Sequence, residues 1–296
     1  MLLADLSGFT KLSERFAKRG RIGVEALSET IDRCFTHLID EGYGFGGTLL
    51  EFAGDAVLFF FRGNDHEQRA AGAAMAMRSS LRRSREDLPV VGRAPLTMTV
   101  GVNSGVFDFF LVGGAFKLLI VGGPAVTQLV RLEESASRSA VLAGSQTALG
   151  LPRRLLGPAC GDGYRLRGWL DPPDSPDAVR FLDVAVDLSD YLDPEIRRAA
   201  VPGPMAPEHR TATLAFVQFQ GLDDVLTADG HNEAARRLDS LVVGVQEAIV
   251  PRGICLQTFD VSANGGKFFL SAGVPRSAGA DEETMLLAVR DIVDLD

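Results

Sequence analysis

Cysteine is scarce in this 296-residue chain. Cys34, Cys160 and Cys255 are the only three, far apart and without metal-ligand spacing. That excludes a disulfide framework or a cysteine zinc site and suits buried thiols in a reducing cytosol. Long apolar runs are missing as well: none approaches the roughly 20 residues that span a bilayer. No basic-then-apolar leader opens the chain, so the expected location is cytoplasmic. The chain begins almost inside its first strand, which reads as a fragment of a longer protein. Positive charge is in deficit, with 30 Lys plus Arg against 39 Asp plus Glu and a net charge of −9. Nonspecific nucleic-acid binding is disfavoured by that balance, and an anionic substrate would need a local device such as metal ions. The four histidines, His37, His66, His209 and His231, form no ligand spacing, and Gly113-Gly114 and Gly122-Gly123 lack the following Lys-Ser or Lys-Thr of a phosphate loop. What the chain does have is 46% apolar and 23% charged residues, the composition of a globular protein with room for two domains.

The sequence Met1-Leu-Leu-Ala-Asp5 reads as a strand ending in an acid. Helical patterns follow over Thr10–Gly20 and Val24–Glu41, the latter with Leu27, Ile31, Cys34, Phe35, Leu38 and Ile39 on one stripe. Two apolar runs then flank Gly54-Asp55, a pair suited to a two-residue hairpin turn. An Ala-rich helix is predicted from about Glu67 to Arg85. Arg82, Arg83 and Arg85 at its carboxyl end complement the helix dipole. Leu96–Val102 alternates as a half-buried strand, Val106–Val112 and Phe116–Val121 form a hairpin, Pro124 opens a helix to Ser135, and Ala140–Ala143 is a short strand. Residues 152–210 are rich in Pro turns and read as a linker holding one short helix near Leu188–Arg198. From residue 211 the pattern repeats. Aligning Gly8 with Gly221 puts Gln218 where Asp5 sits and Lys267 where Asp55 sits, so the second copy lacks both acids. It also stops before any counterpart of residues 96–150. The expected organisation is a first domain over 1–151, a linker over 152–210, and a degenerate, truncated second copy over 211–296.

Asp5 and Asp55 each have a plain reading as turn or cap residues. Both, however, sit at the ends of strands able to pair in one sheet. Mg²⁺ takes one or two carboxylates with substrate phosphates and water. The amides of Ser7-Gly8-Phe9-Thr10 at a helix start can supply donors to phosphate oxygens.

Ala4-Asp-Leu-Ser-Gly-Phe-Thr10 and Phe52-Ala-Gly-Asp-Ala-Val-Leu58 resemble the two metal-binding segments of class III nucleotidyl cyclases, the adenylate and guanylate cyclases. Val100-Gly-Val-Asn-Ser-Gly105 and Val121-Gly-Gly-Pro-Ala-Val-Thr-Gln-Leu-Val-Arg-Leu-Glu133 resemble a later strand and helix of the same domain. The tandem arrangement is similar to soluble, bicarbonate-type and bacterial multidomain cyclases. The resemblance implies an α+β, ferredoxin-like cyclase domain, an antiparallel-rich sheet with helices, whose active site lies between two such domains. It implies that Asp5 and Asp55 hold two Mg²⁺ or Mn²⁺ ions and that Ser7, Gly8, Phe9, Thr10 and Thr127 contact nucleotide, with Arg131 on the phosphates. ATP, or GTP, would be cyclised with loss of pyrophosphate. Implied partners are a second cyclase domain, in the same or another chain, and downstream regulatory or ATPase domains. Three positions depart from the family pattern: Glu51 replaces a base-selecting Lys, Thr127 an Asn, and Pro124 an Asp or Thr. No Lys occurs between Arg252 and Gly266 either. The alternative is therefore a degenerate module that binds nucleotide or partners without turnover.

Overall fold

A computed structural model describes residues 1–8, 14, 16, 20–84, 96–137, 139–172, 187–200, 211–277 and 279–295. Strand β1 (Leu2–Ser7) is followed by helix α1 (Gly20–Gly44), the hairpin of β2 (Thr48–Ala53) and β3 (Ala56–Phe60), helix α2 (His66–Ser84) and strand β4 (Thr97–Val102). Next come the hairpin of β5 (Asp108–Val112) and β6 (Leu118–Gly122), helix α3 (Pro124–Ser135), strand β7 (Val141–Gly144), the short α4 (Ser145–Leu149) and the hairpin of β8 (Leu156–Cys160) and β9 (Gly163–Leu166). The later chain forms α5 (Pro194–Ala200), β10 (Thr213–Gln220), α6 (Leu222–Asp229), α7 (His231–Ile249), the hairpin of β11 (Cys255–Ser262) and β12 (Gly265–Ala272), and α8 (Asp281–Val293). The predicted helix over Thr10–Gly20 falls largely outside the described residues. The chain divides into two compact units, Met1–Gly105 with Gln128–Leu182, and Val106–Thr127 with Asp183–Asp296.

The first unit is α+β, built on a seven-stranded sheet in the order β2-β3-β1-β4-β7-β9-β8. Every neighbouring pair is antiparallel except β4 with β7. Side chains alternate across a strand, so Leu2, Ala4 and Leu6 of β1 share one face with Val57, Phe59, Met98 and Val100. Cys34, Phe35 and Leu38 of α1 and the Ala-Met run of α2 close the core over that face. Arg69 of α2 is buried and donates to the carbonyls of Phe45, Gly46 and Arg62, which satisfies backbone acceptors where α1 has ended. One expectation is corrected. Residues 152–170 are not linker: β8 and β9 complete the sheet edge, with Leu155 and Leu166 in the core. Pro158 lies on β8, the edge strand, where proline is tolerated, and β9 lies between β8 and β7.

The second unit has a three-stranded antiparallel sheet, β10-β12-β11. In it β10 is followed by a glycine, two helices, a hairpin and a further helix. Gly8 after β1 has φ +105° and Gly221 after β10 has φ +100°. Among the described residues β10 pairs only with β12, and Leu214 and Phe216 on it are 54% and 64% exposed. The hairpin β5-β6 groups with this unit, although it lies within the expected first domain. The cause is visible in α7. Gln246, 2% exposed, accepts from the N–H of Gly114 (2.8 Å) and Ala115 (2.9 Å) and donates to Phe116 O (2.8 Å). Asp239 accepts from Gly113 N–H (2.9 Å), and His231 bonds Asp108 (2.8 Å) while stacking on Phe110. Gly113 has φ +114°, and a Cβ there would stand 2.4 Å from Phe116 O, so only glycine fits this turn.

Candidate active site

The register of β1 against β3 decides where the two acids lie. Leu3 pairs with Leu58 and Asp5 with Ala56, and one residue further the N–H of Leu6 donates to the carbonyl of Asp55 (2.8 Å). Asp5 and Asp55 thus occupy neighbouring backbone positions, one on a central strand and one at a hairpin tip. Gly54 has φ +62° whereas Asp55 is not left-handed. That pattern belongs to a two-residue turn with glycine first. The turn leaves the Asp55 side chain exposed, and Asp5 is half-buried. Across the other edge of β1, Asp5 pairs with Thr99, whose hydroxyl donates to Glu133 of α3. Alternation puts Asp5, Ala56 and Thr99 on one face, opposite the face that α1 and α2 cover.

The other expected site residues divide. Ser7 ends β1 and Gly8 follows it, close in sequence to Asp5 on the same strand, while Phe9 and Thr10 lie outside the described residues. Arg131 is exposed on α3, and its guanidinium makes no hydrogen bond or ion pair among the described residues. Thr127 is differently placed. It is 7% exposed, donates to Asp223 (2.6 Å) and accepts from the N–H of Asn264 (2.7 Å), all within the second unit. Its hydroxyl thus joins α3 to the Asp223 and Asn264 segments. Glu51 is half-buried on β2, and Pro124 takes the first position of α3. Thr99 and Glu133 were not singled out from sequence. Glu133 follows Arg131 by two residues, and pairing between β1 and β4 is what links it to Asp5.

The hairpin comparison is corrected too. Lys267 does not stand at a tip. It lies within β12, opposite Gln218 and ion-paired with Asp260 (2.8 Å). The turn is Ala263-Asn264, and the carbonyl of Asn264 accepts the N–H of Gly221 (2.8 Å) as that of Asp55 accepts Leu6. Asn264 thus holds at its hairpin tip the carbonyl role that Asp55 holds at the other. The β11-β12 hairpin reaches further along its partner strand than β2-β3 does, and the spacing of the repeat in sequence absorbed that difference.

Among the described residues no group of three or more His, Cys, Asp or Glu could hold a metal ion. Two carboxylates nonetheless suit Mg²⁺, which keeps several waters and shares its shell with substrate phosphates. No described helix is long and apolar enough to cross a membrane.

Comparison with known proteins puts these motifs in company. Over 64 residues the chain is 34% identical to human adenylate cyclase type 10, a match spanning 21% of this chain and 4% of that protein. Among solved structures, adenylyl cyclase CyaB from P. aeruginosa is similar at 21% identity over 58% of this chain and 94% of the other, with a TM-score of 0.49. Guanylyl cyclase Cya2 is similar at 24% identity over 58% and 93%, with a TM-score of 0.48. The relatives are adenylyl and guanylyl cyclases. The guanylyl cyclase domain of the RhoGC fusion protein of Blastocladiella emersonii is similar at 17% identity over 56% and 92%, with a TM-score of 0.47. No family model matches the chain.

Proposed function

We propose that the chain is the catalytic part of a purine nucleotide cyclase, converting ATP, or GTP, to the cyclic nucleotide and pyrophosphate. The observation that carries this reading is the pairing of β1 with β3, which sets Asp5 and Asp55 at neighbouring positions. Asp5 and Asp55 would hold two Mg²⁺ or Mn²⁺ ions. Metal ions there would offset charge on phosphate oxygens and acidify the attacking hydroxyl. The residues themselves align the substrate: the turn at Ser7-Gly8 offers backbone donors to phosphate, and Arg131 brings a permanent positive charge. In the reaction the ribose 3′-hydroxyl oxygen bonds to the α-phosphorus as the bond to pyrophosphate breaks, and the hydroxyl proton leaves to solvent. The site would be completed by a second cyclase domain. The second unit, which has Gln218 and Asn264 where the acids stand, fits the role of a degenerate copy.

A second reading has its own support. Thr127 is committed to Asp223 and Asn264, and Glu51 stands where a base-selecting Lys is expected. Both suit a module that binds nucleotide and regulates without turnover. Cyclic AMP and cyclic GMP formation from ATP and GTP with Mn²⁺ separates the readings. Product formation supports the enzyme, whereas Mn²⁺-nucleotide binding without product supports the regulatory module. Absence of both refutes the proposal.

A further inference from the structure

Helix α6 is under-packed. Its eight residues run between two glycines of positive φ, Gly221 (+100°) and Gly230 (+84°), and Leu222 is its one buried residue. Val225 lies one turn further on the same helix face and is only half-buried. Helix α7 beside it buries seven residues, Leu238 and Val242 among them. The difference coincides with a cleft of about 240 Å³ walled by Phe219 at the end of β10, Leu222 and Val225 of α6, and Leu238 and Leu241 of α7. Arg237 also lines it, and its guanidinium is already held by Glu233 (2.7 Å) and Asp229 (3.1 Å).

We propose that this cleft is a binding site for a small neutral apolar molecule, of the size of an aromatic ring or a six-carbon chain. An enclosed apolar cavity of about 150 Å³ is enough to take benzene, and this cleft is larger. Five apolar side chains from three elements would surround the ligand and regain the dispersion contacts that an open void forfeits. A carboxylate is disfavoured in the same place. The one charged group on the wall is balanced by two acids, so an anion would shed its hydration and meet Glu233 and Asp229. None of the lining residues is among those assigned to nucleotide or metal, so the site stands whether or not the chain turns nucleotide over.

The test is titration calorimetry and thermal unfolding of the whole chain with 1-hexanol and, at matched ionic strength, with hexanoate. 1-Hexanol is expected to give saturable heat and to raise the unfolding midpoint, and hexanoate to bind at least about ten-fold more weakly. Val225→Phe and Leu241→Phe each fill the cleft from a half-buried wall and should weaken 1-hexanol binding about ten-fold or more. Leu286→Phe, on the exposed side of α8, leaves it unchanged. Leu241→Ala enlarges the cleft and should shift its preference toward 1-octanol, which carries the test if neither filling variant folds. The proposal is overturned by no saturable heat from 1-hexanol, by equal affinity for hexanoate, by parental binding in a folded filling variant, or by an unshifted preference in Leu241→Ala.

Discussion

The two hairpin tips, Gly54-Asp55 in the first unit and Ala263-Asn264 in the second, use their backbone alike and their side chains in opposite ways. Each offers a carbonyl to a chain N–H near the end of its partner strand, Leu6 for Asp55 and Gly221 for Asn264. Beyond that the tips diverge. Asn264 accepts from the N–H of Asp223 (2.9 Å), donates to Asp224 (3.1 Å) and gives its own N–H to Thr127 (2.7 Å). Asp55 is exposed. A tip whose side chain is consumed by its own fold stabilises that fold. A tip left in solvent is available for chemistry.

The comparison breaks most directly at Asp55. Asp55→Asn is expected to lower Mn²⁺-dependent cyclic nucleotide formation about 1000-fold, roughly 4 kcal/mol of transition-state stabilisation. Urea unfolding of the same variant should shift by no more than about 0.5 kcal/mol, as for a surface substitution. Activity equal to the parent chain would remove Asp55 from the site. On the second unit a large stability effect is expected for Gln246→Ala, which removes two acceptor contacts from the partly exposed turn at Gly114-Ala115 and strands the buried carbonyl of Phe116, and should cost about 2 kcal/mol in urea unfolding. A loss below about 1 kcal/mol would mean that the hairpin β5-β6 is held mainly by apolar contact.

Asn264→Ala sharpens the contrast between the tips. It removes two side-chain hydrogen bonds and places alanine at φ +58°, for an expected loss of about 2 kcal/mol. Asn264→Gly should recover part of that by relieving the backbone, and Asp55→Ala should cost far less than Asn264→Ala. Equal losses at the two tips would dissolve the distinction. The smallest effect concerns Asp193, which is buried and accepts from the N–H groups of Glu195 (2.8 Å) and Leu256 (3.0 Å). Burial raises its pKa, and these hydrogen bonds offset only part of the rise. A folded-state value above the unfolded one means that its contribution is complete below the ordinary aspartate range, near 3.9, and is lost as pH rises through the folded value. Stability measured across that window should therefore fall less with rising pH in Asp193→Asn than in the parent. Parallel curves would rule out this linkage.

Much of the first unit was legible in the chain itself. The three-and-four spacing from Leu27 to Ile39 gave α1, Gly54-Asp55 gave the hairpin, and Pro124 marked the start of α3, because each is a local signal with a local cause. What escaped depended on residues far apart. Gln246 lies more than 120 positions from the turn it binds, so nothing around Gly113 announced that the hairpin would group with the later chain. Thr127 was read as a nucleotide contact from its place in a motif, and its bonds to Asp223 and Asn264 come from elsewhere in the sequence. The tip position was misassigned to Lys267 because equal spacing in sequence does not specify equal hairpin length.

Strand β10 has a consequence for how the protein behaves in a tube. Its eight residues, Thr213-Leu-Ala-Phe-Val-Gln-Phe-Gln220, carry no charge and no proline, and one long edge has no partner among the described residues. Such an edge lacks the gatekeepers that keep strands from adding to one another. Concentration and warming should therefore favour sheet-to-sheet accretion seeded at this strand, and a single lysine at Phe216 should lengthen the time the sample stays clear.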